Sequence, residues 1–562
     1  MKKLFKISMM AGLLVCSQFG NAQSILDVVP GYGTLNSAIS ANGGTKIYRL
    51  KAGEWYGLNA PIENVDYHLQ IIGAEPDVTG GMPATLQTGT SVNGAAFEAM
   101  FTAKGNLTIK NIYIVNADLS AQTGANCIYE SKDNARVVVD RCILHPASGG
   151  MAIAVSGKNT KVYFTNNQAI NNGHMLNPNC GHFFNFIHPT IGFDSLLVEN
   201  NTFVCMGTTM LNAGLGTPVI NNVLLFNHNT IIMNKSQLDW TTRKNEEYWT
   251  NNLFFDVNTQ PWASSWQPMP GADLSMPKPN LIYAAPLDNE VLPSVRPNFV
   301  EYNSLYRAQG FYDLITELNI FSRSHSLPLL YLFPLVWPKD STNCREAQMF
   351  NSDNFPKFKY GNTIIDVDPQ WVDNKIYDHE ANFVKWTKPA SYVHALGQPS
   401  TNYPPASAWA QYWWIPSGDL SNNSVWPVFN GRYTNSATLT GSIENLPLGD
   451  LNWFPTQKAF WLANKASITS HIKMGNTNKW TATGVVEVKT NGFTVYPNPA
   501  NGIVTVKGVT NADIKILGLD GRMLLNAKNV TKIDVSTILS GSYLISIKEG
   551  NKVSTQKLEV VR

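Results

Sequence analysis

The side chains that could do chemistry in this chain lie between residues 98 and 244 and combine a base, cations and carboxylates. His182 carries an imidazole that is largely neutral near pH 7 and can therefore accept a proton. Arg243 and Lys244 are cations that could neutralise a substrate carboxylate and so make the neighbouring C–H proton more acidic. This combination is what β-elimination of a uronate needs, so we assign His182, Arg243 and Lys244 as candidate catalytic residues.

Further polar residues of the same stretch are candidates for holding a substrate or an ion. The candidate substrate-binding residues are Glu130, Asn185, Asn212 and His188. Glu98 and Asp239 are the candidate metal ligands that could act in place of a cation, and calcium is the candidate ion.

A recurring polar position indicates which elements would hold these side chains. The stretch "LLVENNTFV" (196–204) places asparagine between two apolar, β-rich halves, and the arrangement returns along the chain. The repeated positions are Asn111, Arg141, Asn167, Asn201, Asn229, Asn252 and Asn303, at intervals of 30, 26, 34, 28, 23 and 51 residues. A period of roughly 20–50 residues is typical of repeat architectures, and short β-rich halves do not fit a helical repeat.

Such copies predict a chain that bends at each asparagine and continues into the next sheet. Coils stacked about 4.8 Å apart would place the amides above one another, bonded along a ladder. The pattern resembles the right-handed parallel β-helix family typified by pectate lyases, over roughly residues 30 to 310. We therefore predict an all-β chain: a right-handed parallel β-helix with long loop-rich insertions, followed by a small C-terminal β-sandwich. An antiparallel β-sandwich with many asparagine turns is the alternative.

The resemblance also implies where a glycan would bind, because in this family an acidic polysaccharide usually lies along one sheet. Counting back from each repeated position assigns that sheet to "AFEAMF", "NCIYE", "GMAIAV", "GHFFNFIH", "TTMLNA" and "QLDWTTRKN". Alternation along these strands predicts that the candidate residues face outward, with Lys244 and His188 at the edges. The chain departs from the family in having neither the compact Asp cluster of calcium-dependent pectate lyases nor the close acidic pairs of polygalacturonase-type hydrolases.

The N-terminus predicts export. "MKKLFKISMMAGLLVCSQFGNAQS" has a basic start, an apolar stretch and a small-residue exit at Asn21-Ala22, which is typical of a secretory signal peptide over residues 1–22. No later stretch reaches about 18 uninterrupted apolar residues, so the sequence predicts no membrane-spanning helix.

The C-terminal segment has a different character. "FTVYPNPANGIVTVKG" opens a series of short alternating strands that predicts a small β-sandwich over residues 487–562. Tyr496-Pro497-Asn498-Pro499, Gly541 with Tyr543, and Lys557-Leu558 closely resemble the type A C-terminal sorting domain of the type IX secretion system. That resemblance implies passage across an outer membrane through the secretion machinery, followed by release or attachment to the cell surface. An ordinary immunoglobulin-like module is the alternative.

These features divide the chain into a signal peptide (1–22), the β-helix (23–472), a linker (473–486) and the sorting domain (487–562). Pro- and Trp-rich insertions interrupt the β-helix after about residue 258, and twelve of the fifteen tryptophans fall between 258 and 480. Their rings could stack on sugars or fill a core that is poor in regular structure, and both interpretations stay open.

The cysteines predict one bridge. Removal of the signal peptide leaves Cys127, Cys142, Cys180, Cys205 and Cys344, an odd number that prevents complete internal pairing. Cys180 and Cys205 are 25 residues apart, about one coil, and a coil spacing of about 4.8 Å suits a disulfide. We expect Cys127 and Cys142 to be buried thiols, and the absence of a C-x-x-C pair argues against a thiolate metal site.

Charge and composition narrow the partners. A net charge of +2 over 562 residues gives no support for nucleic-acid binding. We expect a monomer, secreted or attached to the outer cell surface, whose partners are a polysaccharide and the type IX secretion machinery. Two function classes remain: a polysaccharide lyase, with a glycoside hydrolase less favoured, or a noncatalytic glycan-binding or structural surface protein. Convergence of His182 with Arg243 or Lys244 would favour the enzyme.

Overall fold

The structure is a computed structural model with two compact units, residues 1–480 and 481–562. It describes residues 23–76, 81–117, 124–145, 151–172, 182–207, 210–213, 220–234, 238–241, 243–257, 299–301, 304–306, 359–365, 367–377, 379, 430–481, 494–518, 523–549 and 552–561. The predicted signal peptide, Cys180, Cys344 and Asn303 lie outside these residues.

The first unit is built from three parallel sheets, which the chain visits in turn. Sheet A contains β1 Ser24–Asp27, β3 Lys46–Leu50, β6 Leu69–Gly73, β9 Leu107–Lys110, β12 Arg136–Asp140, β15 Thr160–Thr165, β18 Phe193–Glu199, β21 Ile220–Asn227, β24 Arg243–Thr250, β26 Phe299–Glu301 and β28 Lys359–Gly361. Sheet B contains β2 Gly31–Tyr32, β4 Trp55–Gly57, β7 Ala84–Gln87, β10 Ile112–Val115, β13 Ile143–His145, β16 Gln168–Asn172, β19 Thr202–Met206, β22 Thr230–Asn234, β25 Leu253–Phe255, β27 Ser304–Tyr306 and β29 Ile364–Ile365. Sheet C contains β5 Ile62–Val65, β8 Ala99–Lys104, β11 Asn126–Glu130, β14 Met151–Val155, β17 Phe184–Phe186, β20 Leu211–Ala213 and β23 Asp239–Thr241. This is the predicted parallel β-helix.

The corner between sheets A and B explains the recurring asparagine. One residue at each of these corners has a left-handed backbone, a conformation that asparagine adopts more readily than most residues. These residues are Asn111, Arg141, Asn166, Asn200, His228 and Asn251, with φ between 53° and 60°. The following residue points inward and forms the rung. Asn111 and Arg141, which the sequence pattern aligned with the repeated asparagines, are one position earlier: they occupy the corner, and Ile112 and Cys142 enter the core after them.

The asparagine ladder itself is confirmed at four successive coils. The side-chain amide of Asn167 donates to Asn201 Oδ1 at 3.1 Å, Asn201 donates to Asn229 Oδ1 at 2.8 Å, and Asn229 donates to Asn252 Oδ1 at 3.1 Å. Each of these acceptor oxygens also receives a backbone N–H from the previous coil, so the buried amides are paired within the corner.

Apolar side chains from the three sheets fill the interior. In sheet A one inward row runs in register through Val139, Phe164, Val198, Phe226 and Trp249. The Phe226 and Trp249 rings lie 4.4 Å apart between centroids. Burial of each large side chain contributes roughly 1.5–3 kcal/mol, so the stack holds successive coils together.

Helices cover parts of the first unit. Helix α1 (Thr34–Asn42), followed by a 3₁₀ turn (Gly43–Thr45), lies between β2 and β3 and buries Leu35 and Ile39 in the core. Residues 430–480, which we call the strap, contain α2 (Ser436–Leu439), a 3₁₀ turn (Leu451–Trp453) and α3 (Pro455–Lys473). The strap packs against sheets A and B. Trp480, inside the predicted linker, is buried and donates its backbone N–H to the carbonyl oxygen of Ile443.

The second unit is a small antiparallel β domain. One sheet contains β30 Thr494–Tyr496, β31 Ile503–Lys507 and β34 Lys532–Asp534. The other contains β32 Ala512–Leu517, β33 Met523–Val530, β35 Gly541–Glu549 and β36 Lys552–Val560. Val504 and Val506 of the first sheet share a core with Ile514 and Ile545 of the second, which gives the predicted sandwich.

The described helices include none with both the length and the apolar character needed to cross a lipid bilayer.

Candidate functional site

Sheet C is the sheet to which the sequence assigned the candidate residues, since its strands from β8 to β23 coincide with the six stretches. Its register separates the two faces. An inward row runs through Phe101, Ile128, Ile153, Phe184 and Leu211, which belong to the core. The neighbouring outer row consists of Glu63, Thr102, Tyr129, Ala154, Asn185 and Asn212. Asn185 and Asn212 therefore lie on the outer face, as predicted.

The outer face carries a fixed pair of amides. Asn212 Nδ2 donates to Asn185 Oδ1 at 2.7 Å, and Asn185 Nδ2 lies 2.8 Å from the sulfur of Met151. Both asparagines are buried, with 3% and 5% of their surface exposed. Asn212 Oδ1 has no hydrogen-bond partner. A buried acceptor left unpaired costs about 1–3 kcal/mol, so a hydrogen-bond donor that reached this oxygen would be bound favourably.

Asn126 provides a second unpaired oxygen on this face. It lies beside Met151 in register, and its side-chain nitrogen is 3.4 Å from the carbonyl oxygen of Glu98. Its Oδ1 atom is buried and has no hydrogen-bond partner. Asn126 is not among the residues predicted from the sequence, although its polar side chain at the start of the strand "NCIYE" is a signal that could identify it.

His182, like Asn126, lies at the N-terminal ends of the sheet C strands. It precedes β17 by two residues and is 2% exposed. The β14–β17 register pairs Ile153 with Phe184, and its continuation by two residues places His182 beside Met151. The strand of Met151 therefore separates His182 from Asn126, and the catalytic role of His182 stays a prediction.

Lys244 and Asp239 do not lie on the outer face, contrary to the prediction. Lys244 Nζ lies 2.5 Å from Asp239 Oδ2 and 3.0 Å from Glu247 Oε1, and all three side chains are buried. The Trp249 indole donates to Glu247 Oε1 at 2.7 Å. In register, Asp239 stacks on the core residue Leu211. Burial raises the pKa of Glu247 to about 7, against the opposing effect of Lys244.

Glu130 also faces inward, so the prediction that it binds substrate from the outer face is corrected. It lies in register with Ala103 and Val155. Its carboxylate accepts the Lys132 N–H and, at 3.1 Å, the Thr160 hydroxyl, which closes the turn between sheets C and A. Burial raises its pKa to about 7.

One local feature explains why the outward orientations predicted for Glu130 and Asp239 are wrong. At the start of the sheet C strands two consecutive residues enter the core, as seen for Cys127 with Ile128 and for Leu238 with Asp239. This shifts the alternation by one position, so that Tyr129 faces out and Glu130 faces in. Strict alternation from the sequence cannot anticipate the shift.

His188 has a structural contact. It is half-buried, and its Nδ1 atom accepts the backbone N–H groups of Thr190 and Ile191 at 3.2 and 3.1 Å. The imidazole therefore shapes the turn after β17, and substrate binding by His188 stays a prediction.

The two predicted metal ligands cannot share one ion. Glu98 is exposed immediately before β8, whereas Asp239 is buried in β23, five strands further along sheet C. Five strand spacings amount to about 24 Å, while calcium ligands lie within about 2.6 Å of the ion. The described residues contain no group of three or more His, Cys, Asp or Glu side chains that could hold a metal.

Arg243 stands apart from His182. It begins β24 after the end of β23, at the corner from sheet C to sheet A, whereas His182 precedes a sheet C strand. Arg243 therefore lies beyond the C-terminal ends of the sheet C strands, whereas His182 lies at their N-terminal ends. The side chain of Arg243 lies outside the described part of the chain.

The disulfide between Cys180 and Cys205 stays a prediction, because only Cys205 lies within the described residues. Cys205 is a buried thiol in β19, with a left-handed φ of 58°. Cys127 and Cys142 are buried thiols, as expected, and burial raises the pKa of Cys142 to about 12.

Comparison with known proteins identifies the second unit. Residues 494–561 match the family model described as a secretion system C-terminal sorting domain. None of the curated proteins matches the chain. A solved structure of the PL6 family alginate lyase AlyGC aligns at 15% identity with a TM-score of 0.25, covering 42% of this chain and 35% of that one. The chain thus spans about a third of that structure's length, and a TM-score of this size transfers neither a site nor an activity. The chain is a parallel β-helix protein that carries a secretion system C-terminal sorting domain, which indicates export to the cell surface or the extracellular medium.

Proposed function

We propose that this exported protein binds polysaccharide along the outer face of sheet C. The observation that carries the proposal is the pair of buried amide oxygens, Asn126 Oδ1 and Asn212 Oδ1, that have no partner on this face. Sugar hydroxyl groups are donors that such oxygens accept.

The position of the strap supports the choice of sheet. Within the described residues, the strap bonds to sheets A and B and their shared corner. Asp450 accepts the Thr202 hydroxyl, Lys465 pairs with Glu199, and His228 pairs with Glu444. The strap therefore covers the outer side of sheets A and B at the coils of Glu199, Thr202 and His228, which favours sheet C as the face for a long ligand at these coils.

The charge on sheet C fits a hydroxyl-rich ligand. Glu63, at the first strand of the outer row, forms an ion pair with Lys104 on the next strand. Between Thr102 and Asn212 the outer row carries hydroxyl, phenol and amide groups. Recognition would then rest on hydrogen bonds and on the face of the Tyr129 ring.

A lyase of acidic glycans is the second candidate. The position of His182 at the same end of the sheet C strands as Asn126 favours it. His182 would take the proton next to the uronate carboxylate. As a carbon–carbon double bond forms in the uronate, the bond to the glycosidic oxygen would break, and the proton held by His182 would pass to that oxygen, directly or through water, to give the hydroxyl group of the new chain end. Neither predicted cation meets His182: Lys244 is committed to Asp239 and Glu247, and Arg243 lies beyond the other end of the sheet C strands, so a different group would have to neutralise the uronate carboxylate.

Affinity electrophoresis through gels containing acidic or neutral polysaccharides tests the binding proposal. Asn126→Ala and Asn212→Ala should each weaken retardation of the protein, since each removes an amide oxygen from the face. Asn478→Ala, an exposed asparagine of the strap, is the matched control and should behave as the parent. Equal retardation of all four proteins, or no retardation of the parent, would contradict the proposal.

Absorbance from unsaturated uronates separates the two candidate functions. A lyase releases this signal from an acidic polysaccharide, and His182→Ala should remove it while retardation in the gel persists. A binding protein gives retardation without the absorbance. An unchanged rate in His182→Ala would rule out this residue as the base.

A further inference from the structure

Two aromatic rings lie against a glycine on the outer face of sheet B, near the N-terminal end of the β-helix. Tyr32 pairs in register with Gly57, and Trp55 lies two residues before that glycine. A Cβ atom added to Gly57 would come within 2.4 Å of the Trp55 ring and 2.9 Å of the Tyr32 ring. The missing side chain of Gly57 thus provides the space in which both rings rest on the strand.

The Trp55 ring is held in one orientation by a buried amide. Its indole N–H donates to Gln87 Oε1 at 2.8 Å, and Gln87 Nε2 donates to the carbonyl oxygen of Ala117 at 2.9 Å. Gln87 is 2% exposed and lies beside Gly57 in register. A ring fixed at its polar end presents its apolar face without the entropy cost of ordering it on binding.

Polar groups border the two rings. Tyr32 is 61% exposed, and none of the hydrogen bonds among the described residues uses its hydroxyl group. The exposed Asn59 places its side-chain nitrogen 2.5 Å from the ideal Cβ position of Gly33, the residue after Tyr32. A phenol and an amide therefore stand at the edge of an apolar surface.

Two ion pairs hold charged side chains of the same coils: Arg49 binds Asp27, and Lys51 binds Glu54 at 3.0 Å. Lys46, on sheet A, donates to the Ser24 hydroxyl at 2.8 Å. An uncharged ligand suits this surface better than an anionic one, because Tyr32, Trp55 and Asn59 carry no charge. A pyranose ring has an apolar face of C–H groups and an edge of hydroxyls, which matches the two rings with their polar border.

We propose that Tyr32, Trp55 and Asn59 form a second glycan-binding subsite, which takes a neutral pyranose unit. One ring stacks on the C–H face of the sugar, and the Asn59 amide and the Tyr32 hydroxyl bond to its hydroxyl groups. This subsite lies on sheet B and is separate from the amide face of sheet C.

Affinity electrophoresis of the full exported chain against xylan, galactomannan and a mixed-linkage β-glucan tests this inference. Trp55→Ala and Tyr32→Ala should weaken retardation by the neutral polysaccharide that binds best by tenfold or more. Phe460→Ala removes an aromatic ring that is 39% exposed on α3 and is the matched control. Trp55→Ala should weaken retardation by the same factor in an Asn212→Ala background as in the parent, which would show that the two sites are separate.

Trp55→Phe is a milder substitution that tests the same ring if Trp55→Ala does not fold. It keeps a ring over Gly57 but loses the bond to Gln87, so binding should be weaker than in the parent and stronger than in Trp55→Ala. Parental retardation of folded Trp55→Ala and Tyr32→Ala would overturn the inference. Failure of all three neutral polysaccharides to retard the parent would overturn it as well.

Discussion

Lys244 and Asp239 form an ion pair inside the β-helix, with Nζ and Oδ2 2.5 Å apart and both side chains at most 1% exposed. Glu247 binds the same ammonium group from three residues further on. The cation expected to neutralise a substrate carboxylate is therefore committed to two internal carboxylates. Breaking one member of a buried ion pair costs about 3–5 kcal/mol, because the remaining charges lose their partner.

Lys244→Met should accordingly lower the free energy of unfolding by about 3–5 kcal/mol, measured by urea denaturation. Lys161→Met is the matched control, since Lys161 is half exposed and lies 3.7 Å from Asp194. The control should cost at most about 1 kcal/mol. Equal stability of the two variants would show that Lys244 does not occupy the buried position.

Asn201→Leu should destabilise the β-helix although leucine is more hydrophobic than asparagine. Asn201 Oδ1 accepts both the N–H and the side-chain amide of Asn167, and its own amide donates to Phe164 O and Asn229 Oδ1. Each buried group left unpaired costs about 1–3 kcal/mol. Thermal unfolding measures the loss, and Asn478→Leu at an exposed position should leave the melting temperature unchanged. An unaltered melting temperature in Asn201→Leu would contradict the ladder.

The strap should dock less firmly as the pH rises. Burial raises the pKa of Asp450 from 3.8 to about 7, and its carboxylate bonds to Thr202 and Asn452. A group whose pKa is raised on folding stabilises fully below its unfolded pKa and loses that contribution as the pH approaches 7. Burial also raises the pKa of Glu130, so this carboxyl group likewise lowers the stability as the pH rises. Burial lowers the pKa of His145 to about 4, so this imidazole has the opposite effect and lowers the stability as the pH falls below 6.5.

Asp450→Asn isolates the contribution of this carboxyl group. Melting temperatures at pH 5 and pH 8 should differ less in the variant than in the parent, because the substituted side chain does not titrate. The same difference in both proteins would show that Asp450 does not drive the pH dependence. A steeper fall in the variant would contradict the sign of the pKa shift.

Removal of residues 487–562 should leave a folded β-helix that remains in the periplasm, because the sorting domain lies in this segment. Immunoblots of periplasmic, surface and culture-medium fractions measure the distribution. Normal amounts of the truncated protein outside the cell would contradict the role of the domain in export.

The sequence predicted the coils better than the orientations within them. The rungs Asn167, Asn201 and Asn229 could be located because each corner repeats a local backbone requirement that asparagine meets. The orientations of Glu130 and Asp239 depend on the extra inward residue at the start of each sheet C strand, which no spacing rule reveals. The pairing of Lys244 with Asp239 depends on closure of a coil, so its two partners are visible only in three dimensions.

A structure of the protein with a bound oligosaccharide tests the central claim most directly, using a fragment of whichever polysaccharide retards it in the gel. The account predicts a sugar hydroxyl about 2.5–3.0 Å from Asn126 Oδ1 or Asn212 Oδ1, on the outer face of sheet C. An oligosaccharide bound elsewhere, with both amide oxygens untouched by sugar, would contradict it.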